Sequence, residues 1–191
     1  MRIGVDIDGV ISDSYPVWVS ELNGYYRKNI TVLEKYEMHL AYDVPPEDMN
    51  TFFENNMEQL LGTPQPVVGA KEGIEGILRL GHEVVYLTAR RPEDEAVTRR
   101  WLRRHRIPHE TVLFSNLGGK EKLVRQWSME LFIEDYQLNA RKIAASGVPV
   151  LLLDTTYNQG ALPREIVRCK DWPAILQAIG EITCKQEKAT R

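Results

Sequence analysis

The chain has 191 residues, 43% of them hydrophobic and 27% charged, which is the make-up of a folded globular domain and excludes a disordered or fibrous chain. Its 24 basic residues against 27 acidic ones give a formal charge of −3, so the broad basic footprint of a general nucleic-acid binder is absent. Two cysteines, Cys169 and Cys184, are too few for a disulfide framework or a cysteine-rich zinc site, and no apolar run reaches the ~18 residues of a membrane span.

Met1-Arg2-Ile3-Gly4-Val5-Asp6 breaks its apolar run on a carboxylate, unlike an export signal, so the cytoplasm is the expected address. Ile3-Gly4-Val5 reads as a first strand, which delivers Asp6-Ile7-Asp8-Gly9 at its carboxyl end. Roughly 75 residues separate it from the next strand, far more than a crossover helix needs. The interval holds Val17-Trp18-Val19, Tyr25-Tyr26, Phe52-Phe53 and Leu60-Leu61 in helical-looking stretches, with a break at Val44-Pro45-Pro46. A structureless loop of that length is foreign to a compact domain, so residues 14–68 are expected to form a small helical cap over one end of a sheet.

Ile74, Ile77 and Leu78 share one face of a helix that stops near Gly81. Val84 to Leu87 is the second strand, delivering Thr88-Ala89-Arg90. Pro92-Glu93-Asp94-Glu95 opens a helix whose far end carries Arg99, Arg100, Arg103, Arg104 and His105 against the negative end of the dipole. Val112-Leu113-Phe114 is the third strand, followed by Ser115 to Lys120 and a helix to about Trp127. Leu131-Phe132-Ile133 is the fourth and delivers Glu134-Asp135; a helix over 138–146 leads to a fifth strand, Val148 to Leu153. The last helix begins at Asp171-Trp172-Pro173, and a flexible polar tail is expected over 185–191. Near-continuous apolar strands alternating with amphipathic helices predict an α/β domain, doubly wound on a mainly parallel sheet, with its core formed by 1–13 and 69–184.

In open parallel sheets, ligands sit beyond the carboxyl ends of the strands. That edge gathers Asp6, Asp8, Thr88, Lys120, Glu134 and Asp135. Four negative charges held close together require a cation, and oxygen ligands with open positions suit Mg²⁺. Thr88 and Lys120 offer a hydrogen-bond donor and a positive charge to phosphate oxygens, and a carboxylate attacking phosphorus gives an aspartyl-phosphate. Each feature alone is weak: an Asp-x-Asp-Gly turn ends many strands, a lone Thr caps helices, and Glu-Asp is an ordinary solvated turn. Their convergence is what carries the reading. Gly118-Gly119-Lys120 is no phosphate loop, since Phe114 stands where the first glycine belongs and Glu121 replaces the hydroxyl residue. A glycosyltransferase using Asp-x-Asp for a metal leaves Thr88, Lys120 and Glu134-Asp135 unexplained. Trp18, Tyr25, Tyr26, Phe52 and Phe53 read as cap packing before base stacking, while His82, His105 and His109 read as surface groups. Arg90 and Arg91, next to Thr88, are balanced between substrate contact and a surface role.

Asp6-Ile7-Asp8-Gly9-Val10, Thr88, a downstream lysine and Glu134-Asp135 resemble the haloacid dehalogenase-like (HAD) phosphohydrolase superfamily, and the insertion after the first strand resembles its helical-cap type. The resemblance implies a Rossmann-like HAD core, with Asp6 as nucleophile and Mg²⁺ ligand. It makes Asp8 the acid/base, touching the metal through its backbone carbonyl. Thr88, Ala89 and Lys120 bind phosphate, Lys122 being the second choice of lysine, and Glu134 and Asp135 complete the metal site in an order left open. Leu87-Thr88-Ala89-Arg90, and Leu153-Asp154-Thr155-Thr156-Tyr157-Asn158 followed by Asp171-Trp172, are similar to the 5'(3')-deoxyribonucleotidase (type C nucleotidase) branch. Members of that branch carry Ser-Pro where this chain has Ala89-Arg90. The implied substrate is a small phosphorylated metabolite, foremost a (deoxy)nucleoside monophosphate, without nucleic-acid or membrane partners and with a homodimer left open. The alternatives are a phosphatase of a sugar phosphate or other small metabolite and a non-catalytic phosphate-binding HAD-like protein.

Overall fold

A computed structural model describes residues 1–116 and 118–189. Its centre is a six-stranded, all-parallel sheet made of β1 (Arg2–Val5), β2 (Glu83–Thr88), β3 (Thr111–Phe114), β4 (Leu131–Glu134), β5 (Val150–Leu153) and β6 (Ile166–Cys169), in the order β3-β2-β1-β4-β5-β6. β1 lies between β2 and β4, with Val5 level with Tyr86 on one side and Ile133 on the other. The order reverses at β1, so the chain that leaves it emerges in the crevice where such folds bind ligands. The doubly wound α/β architecture on a parallel sheet is therefore present as expected.

Side chains alternate between two layers, as the period of a strand requires. Ile3, Val5, Tyr86, Leu131, Ile133 and Leu151 pack under α4 (Ala70–Arg79), α5 (Glu95–Arg104) and α8 (Trp172–Ala189). Val85, Leu87, Phe132, Val150 and Leu152 pack under α6 (Lys120–Gln126) and α7 (Gln137–Ala145). Gly4 falls on the second face because the Phe132 ring fills it: a Cβ there would lie 2.3 Å from Phe132 Cδ2. Leu78 stands at the edge of its helix and is exposed, so Ile74 and Ile77, with Ala70, Gly73 and Gly76, make the buried face of α4. The polar end expected to be flexible from Lys185 continues α8 to Ala189, one amphipathic helix packed on α4; the tail positions 190 and 191 lie outside the described residues.

Between β1 and α4 the chain builds α1 (Ser14–Tyr26), α2 (Met38–Tyr42) and α3 (Pro46–Gly62). Pro45 and Pro46 cannot continue a helix begun upstream, and Pro46 instead starts the next one with Glu47 and Asp48 in its first turn. These helices have their own apolar centre: Leu22, Leu33, Met38, Tyr42, Met49, Phe52 and Leu60. The entering and leaving chains run side by side, with the Asp13 N–H donating to the Gln65 carbonyl at 2.8 Å and the Val67 N–H to the Ile11 carbonyl at 2.9 Å. The insertion thus sits on two adjacent connections over the strand ends.

Candidate active site

Asp6 follows β1 directly, and its N–H still donates to the Ile133 carbonyl, at 3.0 Å. Its Oδ1 accepts from the Ile7 N–H at 2.7 Å, while its Oδ2 lies 2.6 Å from Lys120 Nζ. The same ammonium group donates to Glu134 Oε2 at 2.9 Å, and Glu134 Oε1 accepts from the Tyr136 N–H at 3.2 Å. Lys120 is the first residue of α6, and this position points its side chain under the strand ends; Lys122 is exposed. Asp6, Glu134 and Asp135 each offer a carboxylate oxygen within 4.8 Å of the other two, and all three residues are buried.

Three acids share one ammonium, so charge is not balanced. Burial first, then repulsion from Glu134, pushes Asp6 well above the usual carboxylate range, although Lys120 pulls it back. Burial also raises Glu134 against the pull of Lys120, and burial with the Asp6 charge raises Asp135 to about 7. Lys120 is itself held charged, because the two carboxylates outweigh its desolvation. Asp135 Oδ2 accepts from the Tyr157 hydroxyl at 2.5 Å, whereas its Oδ1 is buried with no partner. Gly9, at φ +79°, closes the same spot, where a Cβ would stand 2.1 Å from Asp135 Oδ2. An oxygen-only donor set, excess negative charge and an unpartnered carboxylate oxygen together fit a hard divalent cation.

Asp8 is only two residues beyond Asp6, but its carboxylate belongs to a different environment. The Arg90 guanidinium grips it as a fork, Nε to Oδ2 at 2.8 Å and Nη2 to Oδ1 at 2.7 Å, and Ser14 Oγ donates to Oδ1 at 2.6 Å. Arg90 is buried and anchored by Nη1 on Thr98 Oγ1 at 3.0 Å. Burial would raise Asp8, yet the charge and hydrogen bonds of Arg90, with the Ser14 bond, leave it below the usual range. Thr88 ends β2 with its Oγ1 accepting from the Arg90 N–H at 3.2 Å.

Above these groups lies a cavity of about 640 Å³ between core and insertion. Asp6, Asp8, Thr88, Ala89, Arg90 and Arg91 form its floor. Trp18, Tyr36, Met49 and Phe53 contribute apolar wall, with Asn50 and Glu54 as polar groups among them. The rings meet edge-on, Trp18 and Phe53 at 5.4 Å and 89°, which holds the wall by contacts between aromatic faces and edges. Arg91 joins the two halves at the rim, 3.5 Å from Glu54 and from Asp94.

Thr88, Ala89 and Lys120 stand where the strand ends were expected to bring them, and Glu134 and Asp135 enter the acid cluster together. The Asp8 carboxylate does not join that cluster, because Arg90 and Ser14 claim both its oxygens. Among the aromatics, Trp18 and Phe53 face the cavity, Tyr26 and Phe52 pack inside the insertion, and Tyr25 is exposed. His82 is buried rather than at the surface, held by the Met1 amino group at 3.3 Å and Thr183 Oγ1 at 2.9 Å, while His105 and His109 are half-buried. Residues the sequence did not single out for the site are Ser14, Tyr36, Tyr136 and Tyr157. Ser14 bonds Asp8 from the start of α1, six residues on, and Tyr157 bonds Asp135 from the turn between β5 and β6.

The family described as "5' nucleotidase, deoxy (Pyrimidine), cytosolic type C protein" matches residues 1–187. A nucleotidase of Clostridium acetobutylicum is 30% identical over 189 residues, covering 98% of this chain and 97% of that protein. Among solved structures, a HAD family hydrolase from Deinococcus radiodurans with bound phosphate and sodium superposes with a TM-score of 0.63 at 16% identity, over 94% of this chain and 95% of that one. A D,D-heptose 1,7-bisphosphate phosphatase from B. bronchiseptica, complexed with magnesium and phosphate, gives 0.55 at 13% identity, over 94% and 98% of the two chains. At such identities the structural likeness speaks for the fold.

Proposed function

This chain belongs to the cytosolic type C 5' nucleotidase family, and from that premise we propose that it hydrolyses (deoxy)nucleoside 5'-monophosphates through a phosphorylated Asp6, with Mg²⁺ held by Asp6, Glu134 and Asp135. Membership makes it a phosphatase of the HAD-like type acting on a small phosphorylated molecule. The supporting observation is the meeting of Asp6, Lys120, Glu134 and Asp135, which come from separate strand ends and one helix start.

In this reading, Asp6 Oδ attacks phosphorus as the bond to the nucleoside oxygen breaks, and that oxygen takes a proton from Asp8. Water then attacks the aspartyl-phosphate, giving its proton back to Asp8 and releasing phosphate. Lys120 and the Thr88 hydroxyl bind the phosphoryl oxygens, with the Ala89 backbone beside them. When bound, Mg²⁺ offsets the charge of the acids and of the phosphate they must approach. The Arg90 fork keeps Asp8 in the ionised form that activates water. The first half-reaction needs Asp8 protonated, which a phosphate dianion competing for the guanidinium would favour.

The insertion, residues 14–68, acts as the cap that excludes bulk water, and the Trp18–Phe53 wall receives the nucleobase. A cavity of about 640 Å³ accommodates a nucleotide. No described helix is long and apolar enough to cross a membrane, and a cytoplasmic address is part of the proposal. A panel of phosphomonoesters assayed with Mg²⁺ tests it. Turnover led by deoxynucleoside monophosphates is the expected result; turnover led by sugar phosphates would transfer the same chemistry to another substrate class.

A further inference from the structure

The turn between β5 and β6 has no step in that reaction, yet it touches both halves of the molecule. Asn158, fully buried, donates its side-chain amide to the carbonyls of Leu153 and Asp135, both at 2.7 Å, and its Oδ1 accepts from the Thr155 N–H at 3.2 Å. The turn is thereby fastened to the main chain of an acid in the site. From that fixed point Tyr157 sends its hydroxyl to Asp135 Oδ2 at 2.5 Å, and Oδ1 of the same carboxylate is left buried without a partner. The other side of the Tyr157 ring meets the cap: Tyr15 lies 4.8 Å away between ring centres and Tyr36 5.8 Å. Next to it, Thr156 Oγ1 donates to the Leu33 carbonyl at 2.5 Å.

We propose that Tyr157 is a positioning residue: its hydroxyl occupies Asp135 Oδ2 so that Oδ1 faces the divalent cation, and its ring passes the cation's arrival to cap segment 33–37. The inference rests on the reading of Asp135 as a metal ligand. A carboxylate without that bond turns about its Cβ–Cγ axis, and the space beside Oδ2 exists because Gly9 has no Cβ to fill it. Outer partners of metal ligands fix ligand orientation, and losing one costs about 10- to 100-fold in metal affinity.

The test uses the full chain, Mg²⁺ and no substrate. Mg²⁺ binding is measured by titration calorimetry, and amide hydrogen exchange over 33–37 is followed with and without the metal. Wild type is expected to bind Mg²⁺ and to slow its exchange there. Tyr157→Phe keeps the ring and should bind about 10- to 100-fold more weakly, with the slowing diminished at equal Mg²⁺ occupancy. Thr156→Val retains the Tyr157 hydroxyl, so it should bind Mg²⁺ as wild type does while slowing exchange at 33–37 less. Unchanged affinity in Tyr157→Phe overturns the inference and leaves Asp135 a ligand. Equal losses in Thr156→Val and Tyr157→Phe overturn it too, because the turn's general stability would then account for both. A wild type that takes up no Mg²⁺ removes the metal reading together with this one.

Discussion

The rim of the core and the wall of the cap face each other across one cavity but are held by different forces. At the rim, Lys120, Asp6, Glu134, Asp8 and Arg90 are fixed by charge-assisted bonds between 2.6 and 2.9 Å, all in buried surroundings. A misplaced charge there has no substitute partner, so the geometry is strongly determined. In the cap, Tyr15, Trp18 and Phe53 meet ring edge to ring face at 5.0 to 5.4 Å, contacts worth about 0.5–1.5 kcal/mol each that tolerate repacking. On the proposed mechanism, chemistry would sit where position is dictated by charge, and substrate discrimination where position can drift.

That contrast can be broken or sharpened experimentally. Asp6→Asn should cut kcat by about 10⁴-fold or more, the loss expected when a nucleophile is removed, while melting at or above the wild-type temperature because one buried negative charge is gone. Wild-type turnover in this variant would remove Asp6 from the mechanism. EDTA should abolish activity and Mg²⁺ restore it, as three acids around one ammonium require; metal-independent hydrolysis would contradict the acid cluster's role. Arg90→Met should destabilise the protein by about 3 kcal/mol in urea unfolding, since it strands a largely buried Asp8, whereas an unchanged midpoint would show the fork to be dispensable.

Effects in the cap should be smaller and different in kind. Phe53→Ala is expected to raise KM for a nucleotide about fivefold, near the lower end of base–aromatic stacking, and to leave kcat and the KM of a small sugar phosphate alone. A matching fall in kcat would place Phe53 in the rim's machinery after all. The last effect concerns pH. Asp135 titrates at about 7 in the fold against 3.8 for the free group, so the folded chain binds the extra proton between those values. Its contribution to stability is present below the lower value and disappears as pH rises through the upper one. Asp8, lowered in the fold, contributes in the opposite direction, losing stability as pH falls. The metal-free protein should therefore melt at lower temperature as pH climbs from about 4 to about 7, with saturating Mg²⁺ removing the decline. A flat profile without metal would show Asp135 to be ordinary.

The rim was far more legible in the sequence than the cap. β1, β2, β4 and β5 are apolar runs bounded by charge or glycine, and every rim residue except Lys120 lies within a few positions of such a run. β6, Ile166–Cys169, escaped because it is an edge strand with Arg168 in its middle and only its ends buried. The cap could be placed as an insertion, but not which of its rings face the cavity, because Trp18 and Tyr26 lie on the same helix and only the packing of that helix decides which one turns to the cavity. Arg90 was visible as an arginine beside Thr88; its partner lies 82 residues away, and no local pattern encodes that pairing. Tyr157 stood in a motif already noticed, yet its bond to Asp135 depends on β5 lying against β4. Contacts that follow from chain periodicity could be read, and those that follow from tertiary proximity could not.

The central place of β1 in the sheet also governs the order of assembly. Its nearest neighbours in space begin at Glu83 and Leu131, so a chain emerging from the ribosome carries its first strand exposed on both edges through the synthesis of the whole cap. The cap helices contact one another locally and can form during that interval, whereas Asp6 meets Glu134 only across a sequence separation that makes it a late contact. Crowding of negative charge is thereby postponed until the cap and the first three strands have been made.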